Sequence, residues 1–292
     1  MNDATRGECE ALLASRASGA LSAEVTLTRM LIATERAADV RAFLERTAGP
    51  VAAELAALLD AHAAGAARIG DMLAADVDVP PEPGDVDAGL AYARRLFDWS
   101  VQQSEEASVA LHSLGSPALL ARATAEIVVQ LRAWGAVGPD RDTLEIGCGI
   151  GRMQAALAPH VREAWGVDVS PRMIEVARRR CASMPNVHLA QTEGRDLSAF
   201  ADARFDLVLA VDSFPYLVQA GLPLVTTHVR EAARVLRPGG ALVVLAFSYR
   251  EDDARDVREV TELGLAAGLT PIELGTRPFT LWNGAAFRLR RT

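Results

Sequence analysis

Leu144-Glu145-Ile146-Gly147-Cys148-Gly149-Ile150-Gly151-Arg152 is a short apolar run that passes directly into a glycine-rich turn. Asp142 to Ile146 reads as a buried strand, and Met153 to Leu157 opens a helix. The glycines between them permit a tight turn and close approach of backbone to a ligand, so the stretch reads as a nucleotide-cradling loop. A dinucleotide fingerprint requires glycines at the first, third and sixth positions. Counting from Gly147, the sixth position is Arg152, and Gly151 comes one place early, which is expected to spoil the close strand–helix packing of that fingerprint. Glu145 ahead of the turn disfavours a pyrophosphate and suits a ligand bearing an ammonium or sulfonium group.

Outward from the loop, strands alternate with helices. Arg162 to Asp168 reads as a second strand, Ser170-Pro171 as the cap of a helix through Met173, Ile174 and Ala177, and Asn186 to Gln191 as a third strand. Phe205 to Val211 is a fourth, Leu224 to Leu236 a helix, Pro238-Gly239-Gly240 a turn, and Ala241 to Phe247 a fifth. A helix over Asp256 to Ala267 precedes Thr270 to Gly275 and Ala285 to Arg290, an antiparallel hairpin at the sheet edge. The pattern predicts an α/β fold, a Rossmann-like, seven-stranded, mostly parallel sheet with helices on both faces.

Three further features narrow the ligand. Asp168 ends the second strand, where a carboxylate accepts hydrogen bonds from both hydroxyls of a ribose. Gln191-Thr192-Glu193-Gly194-Arg195-Asp196 follows the third strand and offers a carboxylate and backbone groups near an adenine edge, and Asp212 closes the fourth strand on the ligand side. Residues from about Pro117 to Arg291 resemble the class I S-adenosylmethionine-dependent methyltransferase family. Glu145-Ile146-Gly147-Cys148-Gly149-Ile150-Gly151 is similar to that family's acid-x-Gly-x-Gly-x-Gly motif, and Gly166-Val167-Asp168-Val169-Ser170 to its ribose-binding segment. Val235-Leu236-Arg237-Pro238-Gly239-Gly240 resembles the turn before its fifth strand, and the terminal hairpin its sheet edge. One departure is Glu193-Gly194, where the family more often carries aspartate. The resemblance implies S-adenosyl-L-methionine as cofactor, held by Glu145, Gly147, Cys148, Gly149, Asp168, Val169, Met173, Glu193, Gly194, Val211 and Asp212. Flanked by glycines, Cys148 reads as a small loop residue rather than a nucleophile.

Composition excludes several other classes. The 292 residues contain 30 basic residues against 38 acidic ones, a net charge of −8, which argues against a nucleic-acid footprint. All the basic residues are arginine, so Schiff-base lysine catalysis and the lysine-bearing phosphate loop are excluded for these residues. Cys9, Cys148 and Cys181 lack metal-ligand spacing and are odd in number, so no metal and no disulfide framework is expected, and a reducing cytoplasm fits. The polar N-terminus and the lack of an apolar run near ~18 residues give no expectation of a membrane or export segment. Arg178-Arg179-Arg180 reads as a solvated helix face.

Residues 4–75 read as successive helices. Ser22 caps one, and Gly49-Pro50 starts another that places Val51, Leu55, Leu58, His62, Ala66, Ile69 and Leu73 on one stripe, with His62 packed. The proline-rich, acidic stretch Asp76 to Asp85 is the expected linker. It divides a helical N-terminal domain, residues 1–80, from a cofactor domain, residues 81–292, whose pre-core helices over 88–135 comprise Ala88 to His112 and one begun by Ser116-Pro117.

The donor brings the reactive carbon and the leaving group, so the protein supplies alignment, water exclusion and, for a hydroxyl or amine acceptor, a base. His112 and Tyr216 are the catalytic candidates, and Trp99, Tyr249 and Trp282 line the expected acceptor pocket. The leading reading is O-, N- or C-methylation of a small organic molecule in the cytoplasm. A second is transfer or cyclisation of the sulfonium's aminocarboxypropyl arm, and a third a non-catalytic S-adenosylmethionine-binding sensor or partner subunit. Nucleoside-recognising motifs leave the three open, as the sequence leaves the helical segment open as a cap, a homodimer surface or a carrier-protein dock.

Overall fold

The computed structural model describes residues 1–75, 77, 81–82 and 84–292. The expected linker falls in part on Asp76, Asp78, Val79, Pro80 and Pro83, which lie outside the described residues. The chain divides into two compact units. One comprises Met1–Val77, Trp99–Glu126 and Phe279–Asn283, the other Asp78–Asp98, Ile127–Pro278 and Gly284–Thr292.

The first unit is helical: α1 (Asp3–Ala17), α2 (Ala23–Thr34), α3 (Ala37–Arg46), α4 (Pro50–Ala61) and α5 (Ala63–Ala74). Asn2 and Ser22 cap α1 and α2 through their side chains, accepting the N–H groups of Thr5 and Val25. Leu27, Met30, Leu31, Val40, Leu55 and Ile69 form its core. The single helix expected after Gly49-Pro50 is instead two, broken at His62. A Cβ at Gly65 would lie 1.9 Å from the carbonyl oxygen of Leu114, so α5 is seated on a long-range backbone contact that periodicity does not report. The helix expected to run to His112 also stops early: α6 (Val86–Gln103) gives way where the Ser104 hydroxyl accepts the N–H of Ala107. A short 3-10 turn then holds Leu111–Ser113 before α7 (Pro117–Ala133), and the division between units falls within α6 and α7.

The second unit is built on a seven-stranded sheet: β1 (Asp142–Ile146), β2 (Glu163–Asp168), β3 (Val187–Gln191), β4 (Phe205–Val211), β5 (Leu236–Leu245), β6 (Leu269–Thr276) and β7 (Ala286–Arg291). Their order is β3-β2-β1-β4-β5-β7-β6. Strands β1 to β5 are parallel and β7 is antiparallel to both neighbours, the mostly parallel sheet with an antiparallel terminal hairpin that the sequence predicts. Helices α8 (Arg152–Leu157), α9 (Pro171–Arg180), α10 (Phe214–Ala220), α11 (Leu222–Val235) and α12 (Asp253–Ala266) complete the unit. Every residue of β1 is buried: Leu144 and Ile146 join the core, and the polar Asp142, Thr143 and Glu145 are buried with them. Phe205, Phe214, Phe247 and Phe287 anchor the core.

The turn expected at Pro238-Gly239-Gly240 belongs to β5 itself. Leu236 pairs with Phe205 and Ala241 with Leu207, so the extra residues bulge out of the ladder, with Gly239 at φ +81°. Chain order reverses between β1 and β4, and the carboxyl ends of those strands open the crevice where ligands bind in such sheets.

Candidate functional site

The glycine loop leaves β1 at this crevice. Gly147, Gly149 and Gly151 have φ of +72°, +51° and +72°, values that only glycine adopts without strain. The loop is fixed from β2, because the N–H groups of Gly147 and Cys148 donate to the carbonyl of Val167 at 2.8 and 3.0 Å. Gly151 corrects the expectation that its early position loses close packing. A Cβ there would lie 2.9 Å from that of Ala177, so Gly151 admits α9 against the loop.

Asp168 sits at the end of β2 and is 8% exposed. Its Oδ2 accepts the N–H of Gly149 at 2.8 Å and its Oδ1 that of Ser170 at 2.9 Å. Burial pushes the carboxyl up to about 6, although the N–H groups of Ser170, Gly149 and Val169 pull it down. Two oxygens offer about four acceptor sites, so the carboxylate keeps capacity for ligand hydroxyls. Glu145, in β1, accepts Gln154 Nε2 at 2.7 Å. Burial pushes it up to about 7, against that hydrogen bond and the charge of Arg152, with Asp168 adding to the rise. Burial, then the charges of Asp168 and Glu145, raise the Cys148 thiol well above its ordinary value. It is therefore a protonated, small loop residue rather than a nucleophile.

Val169 and Gly194 meet: a Cβ on Gly194 would lie 2.5 Å from Val169 Cγ1. Glu193, between the same strands, points outward with a side chain 88% exposed and lies 3.8 Å from Arg195. Met173 is buried in the first turn of α9. Val211 and Asp212 close β4, where the Asp212 N–H donates to Leu245 and its φ of +55° turns the chain towards α10.

The structure brings Tyr216 and Tyr249 together. Their ring centres are 6.0 Å apart and perpendicular, and their hydroxyls share a hydrogen bond. Phe97 of α6 meets the Tyr216 ring edge-on at 4.8 Å. Burial, then Asp212 and Tyr92 nearby, hold the Tyr216 phenol above its ordinary value, so it is protonated at neutral pH. Tyr249 is exposed over much of its surface. The other three acceptor-side candidates belong to the first unit. His112 is half-buried in the 3-10 turn, Trp99 half-buried in α6, and Trp282 buried with its ring 5.3 Å from that of Phe279. Glu126 accepts the N–H groups of Thr280 and Leu281 at 2.9 and 3.0 Å and fixes the segment carrying Trp282.

Sequence reasoning missed Gln154 and Arg152, which face Glu145, and Asp98 and Leu90, which reach the site from α6. The buried Arg152 carried a signal, since a charge in the first turn after an acid-led glycine loop needs a partner. Among the described residues no group of His, Cys, Asp and Glu could hold a metal ion, and no helix is long and apolar enough to cross a membrane.

Residues 144–244 match the family described as "Methyltransferase domain". A demethylmenaquinone methyltransferase of Tropheryma whipplei is 36% identical over 108 residues, 37% of this chain and 42% of that protein. One from Clavibacter sepedonicus is 32% identical over 171 residues, 59% of this chain and 61% of the other. The chain thus matches less than two thirds of either relative. Magnesium protoporphyrin IX methyltransferase of Synechocystis, solved with S-adenosylmethionine bound, is 14% identical and shares the fold with a TM-score of 0.52, over 70% of this chain and 97% of that one. The match to that methyltransferase domain runs from β1 into β5, across the glycine loop, Asp168 and Asp212.

Proposed function

We propose that this chain transfers the methyl group of S-adenosyl-L-methionine to a small organic acceptor. The observation that carries the reading is the Asp168 carboxylate at the end of β2, joined by hydrogen bond to the glycine loop at the sheet's switch point. The residues fit the cofactor. Asp168 would hold the ribose hydroxyls, Gly147, Cys148 and Gly149 would line the methionine portion, and Val169 and Gly194 would flank the adenine. Val211 and Asp212 would bound the slot from β4, with Met173 backing it. Glu145 is a buried carboxyl raised to about 7, whose charged form a cationic ligand would favour. Glu193 would serve only through its backbone, since its side chain points outward.

When bound, the cofactor supplies an electrophilic methyl carbon and a neutral leaving group. What falls to the chain is alignment and exclusion of water. Phe97, Tyr216 and Tyr249 provide an aromatic surface beyond β4 and β5, with phenols that donate hydrogen bonds to an acceptor oxygen. A protonated Tyr216 would orient the acceptor rather than take its proton, and His112 is the candidate base. Trp99 and Trp282 complete the set of acceptor-side candidates. The curated relatives named for quinone methylation make a planar, electron-rich ring a reasonable acceptor class. Three buried free thiols suit a cytoplasmic location, and residues 1–80 are proposed to cap the acceptor, pair two copies or dock a carrier protein.

Incubation with S-adenosylmethionine and candidate hydroquinones, read by mass spectrometry, tests the reading. S-adenosylhomocysteine with a product 14 mass units heavier, one methylene at about that gain, is expected. Methylthioadenosine would replace methyl transfer by aminocarboxypropyl chemistry, and unchanged cofactor despite tight binding would leave a sensor or partner subunit. H112A, assayed with the same acceptors, tests the base.

A further inference from the structure

Helix α6 reaches the ribose side of the site through a residue outside every motif described above. Asp98 lies in the part of α6 that belongs to the sheet unit. Its Oδ1 accepts the hydroxyl of Ser170 at 2.6 Å and lies 3.4 Å from the N–H of Arg172. Ser170 is fully buried and works in three directions. Its hydroxyl proton goes to Asp98, its oxygen accepts the N–H of Met173 at 3.0 Å, and its own N–H donates to Asp168 Oδ1 at 2.9 Å. The second oxygen of Asp168 takes the Gly149 N–H. An unbroken chain of hydrogen bonds therefore runs from α6, through the cap of α9 and the ribose-side carboxylate, into the glycine loop.

A hydroxyl has one proton to give. Donation to Asp98 leaves the oxygen's lone pairs for Met173, which fixes the Ser170 rotamer and with it the peptide that holds Asp168. Elsewhere along α6, Leu90 lies within 2.9 Å of the Cβ that Gly194 lacks, and Asp87 pairs with Arg195. Asp87, Leu90, Arg94 and Asp98 recur at helical spacing, so one stripe of α6 spans the loop after β3 and the end of β2.

We infer that Asp98 is a positioning residue for the cofactor's ribose, acting through Ser170 on Asp168. The inference rests on the reading that Asp168 holds the ribose. Titration calorimetry with S-adenosylhomocysteine and with its 2′-deoxyribose analogue tests it, using the ratio of the two dissociation constants. Wild type is expected to prefer the full ribose by about tenfold, the scale of a charge-assisted hydrogen bond. D98A and S170A should each bring that ratio down to about twofold or less, D98N, which keeps an acceptor oxygen, should restore it, and the double variant should lose no more than either single one. Partial unfolding lowers the titrated stoichiometry and leaves the ratio untouched. If D98A weakens both ligands equally and keeps the tenfold preference, Asp98 is merely structural and the inference falls. A wild type with no preference, or with no binding, overturns instead the ribose and cofactor readings on which it rests.

Discussion

Asp168 and Glu145 are buried carboxyls held within one loop's width of each other, and both titrate above their ordinary values, at about 6 and about 7. Replacing Asp168 by Ala removes the acceptor for Gly149 and Ser170 as well as for a ligand's hydroxyls, so affinity for S-adenosylhomocysteine should fall by tenfold or more, on the order of 1.5–3 kcal/mol. Calorimetric titration showing wild-type affinity in D168A would remove the ribose assignment. The raised values also set a pH dependence. A folded state that holds protons more tightly than the unfolded chain is favoured at low pH. The contribution is complete below the ordinary carboxylate range of about 4 and is lost as pH rises through the folded values. Thermal unfolding of the ligand-free protein should show E145Q losing less stability than wild type between about pH 5 and 7.5. Parallel curves for the two proteins would mean that Glu145 does not titrate in this window. The loop glycines, Glu145 and Asp168 were legible because their chemistry is local to a strand end. Asp98 was not, because its partner Ser170 lies 72 positions along the chain and a lone aspartate on a helix has many surface readings.

Among the elements, the parallel strands were legible almost to the residue, since each is an apolar run bounded by turn chemistry. The misplaced boundaries arise where distant backbone decides the local conformation: His62, where α5 is set by Leu114, and the bulge that keeps Pro238-Gly239-Gly240 within β5. The opposite end of the sheet from the loop carries a second device that periodicity does not reveal. Asp142 of β1 accepts both Arg162 and Arg237, and Asp206 of β4 accepts Arg237 and the N–H of Asp142, so one cluster ties β1, β4 and β5 together. Burial would raise Asp142, yet the hydrogen bonds from Arg162 and Arg237 outweigh it and hold the carboxyl below its ordinary value. A depressed folded value contributes stability above the unfolded pKa and loses it as pH falls through the folded one. R237A should therefore cost about 1–3 kcal/mol at neutral pH, a figure discounted for the partial exposure of these side chains. At acid pH, as Asp142 takes up its proton and the ion pair with Arg237 is lost in the wild type too, the gap between the two proteins should shrink. Denaturant unfolding at the two pH values measures this, and an equal penalty at both would assign Arg237 a packing role instead.

At the scale of the whole molecule, the chain threads back and forth between two compact units. A linear reading expects one boundary in the acidic, proline-rich stretch, while the compact units exchange chain within α6 and α7 and again near Phe279. Among the described residues the two cores share none. Leu55 belongs to the helical one and Leu242 to the sheet, and both are buried. Truncating either leucine removes about 2–5 kcal/mol from its own core. Within a helix that crosses the division each backbone hydrogen bond is worth about 1 kcal/mol net, little beside the burial that holds either core. Scanning calorimetry should accordingly resolve two transitions. L55A should lower one and L242A the other, and saturating S-adenosylhomocysteine should raise only the transition that L242A lowers, since ligand stabilises the unit that binds it. A single transition lowered by both variants and raised by the ligand would show instead that the two cores melt as one cooperative body, with α6 and α7 strong enough to bind their fates together.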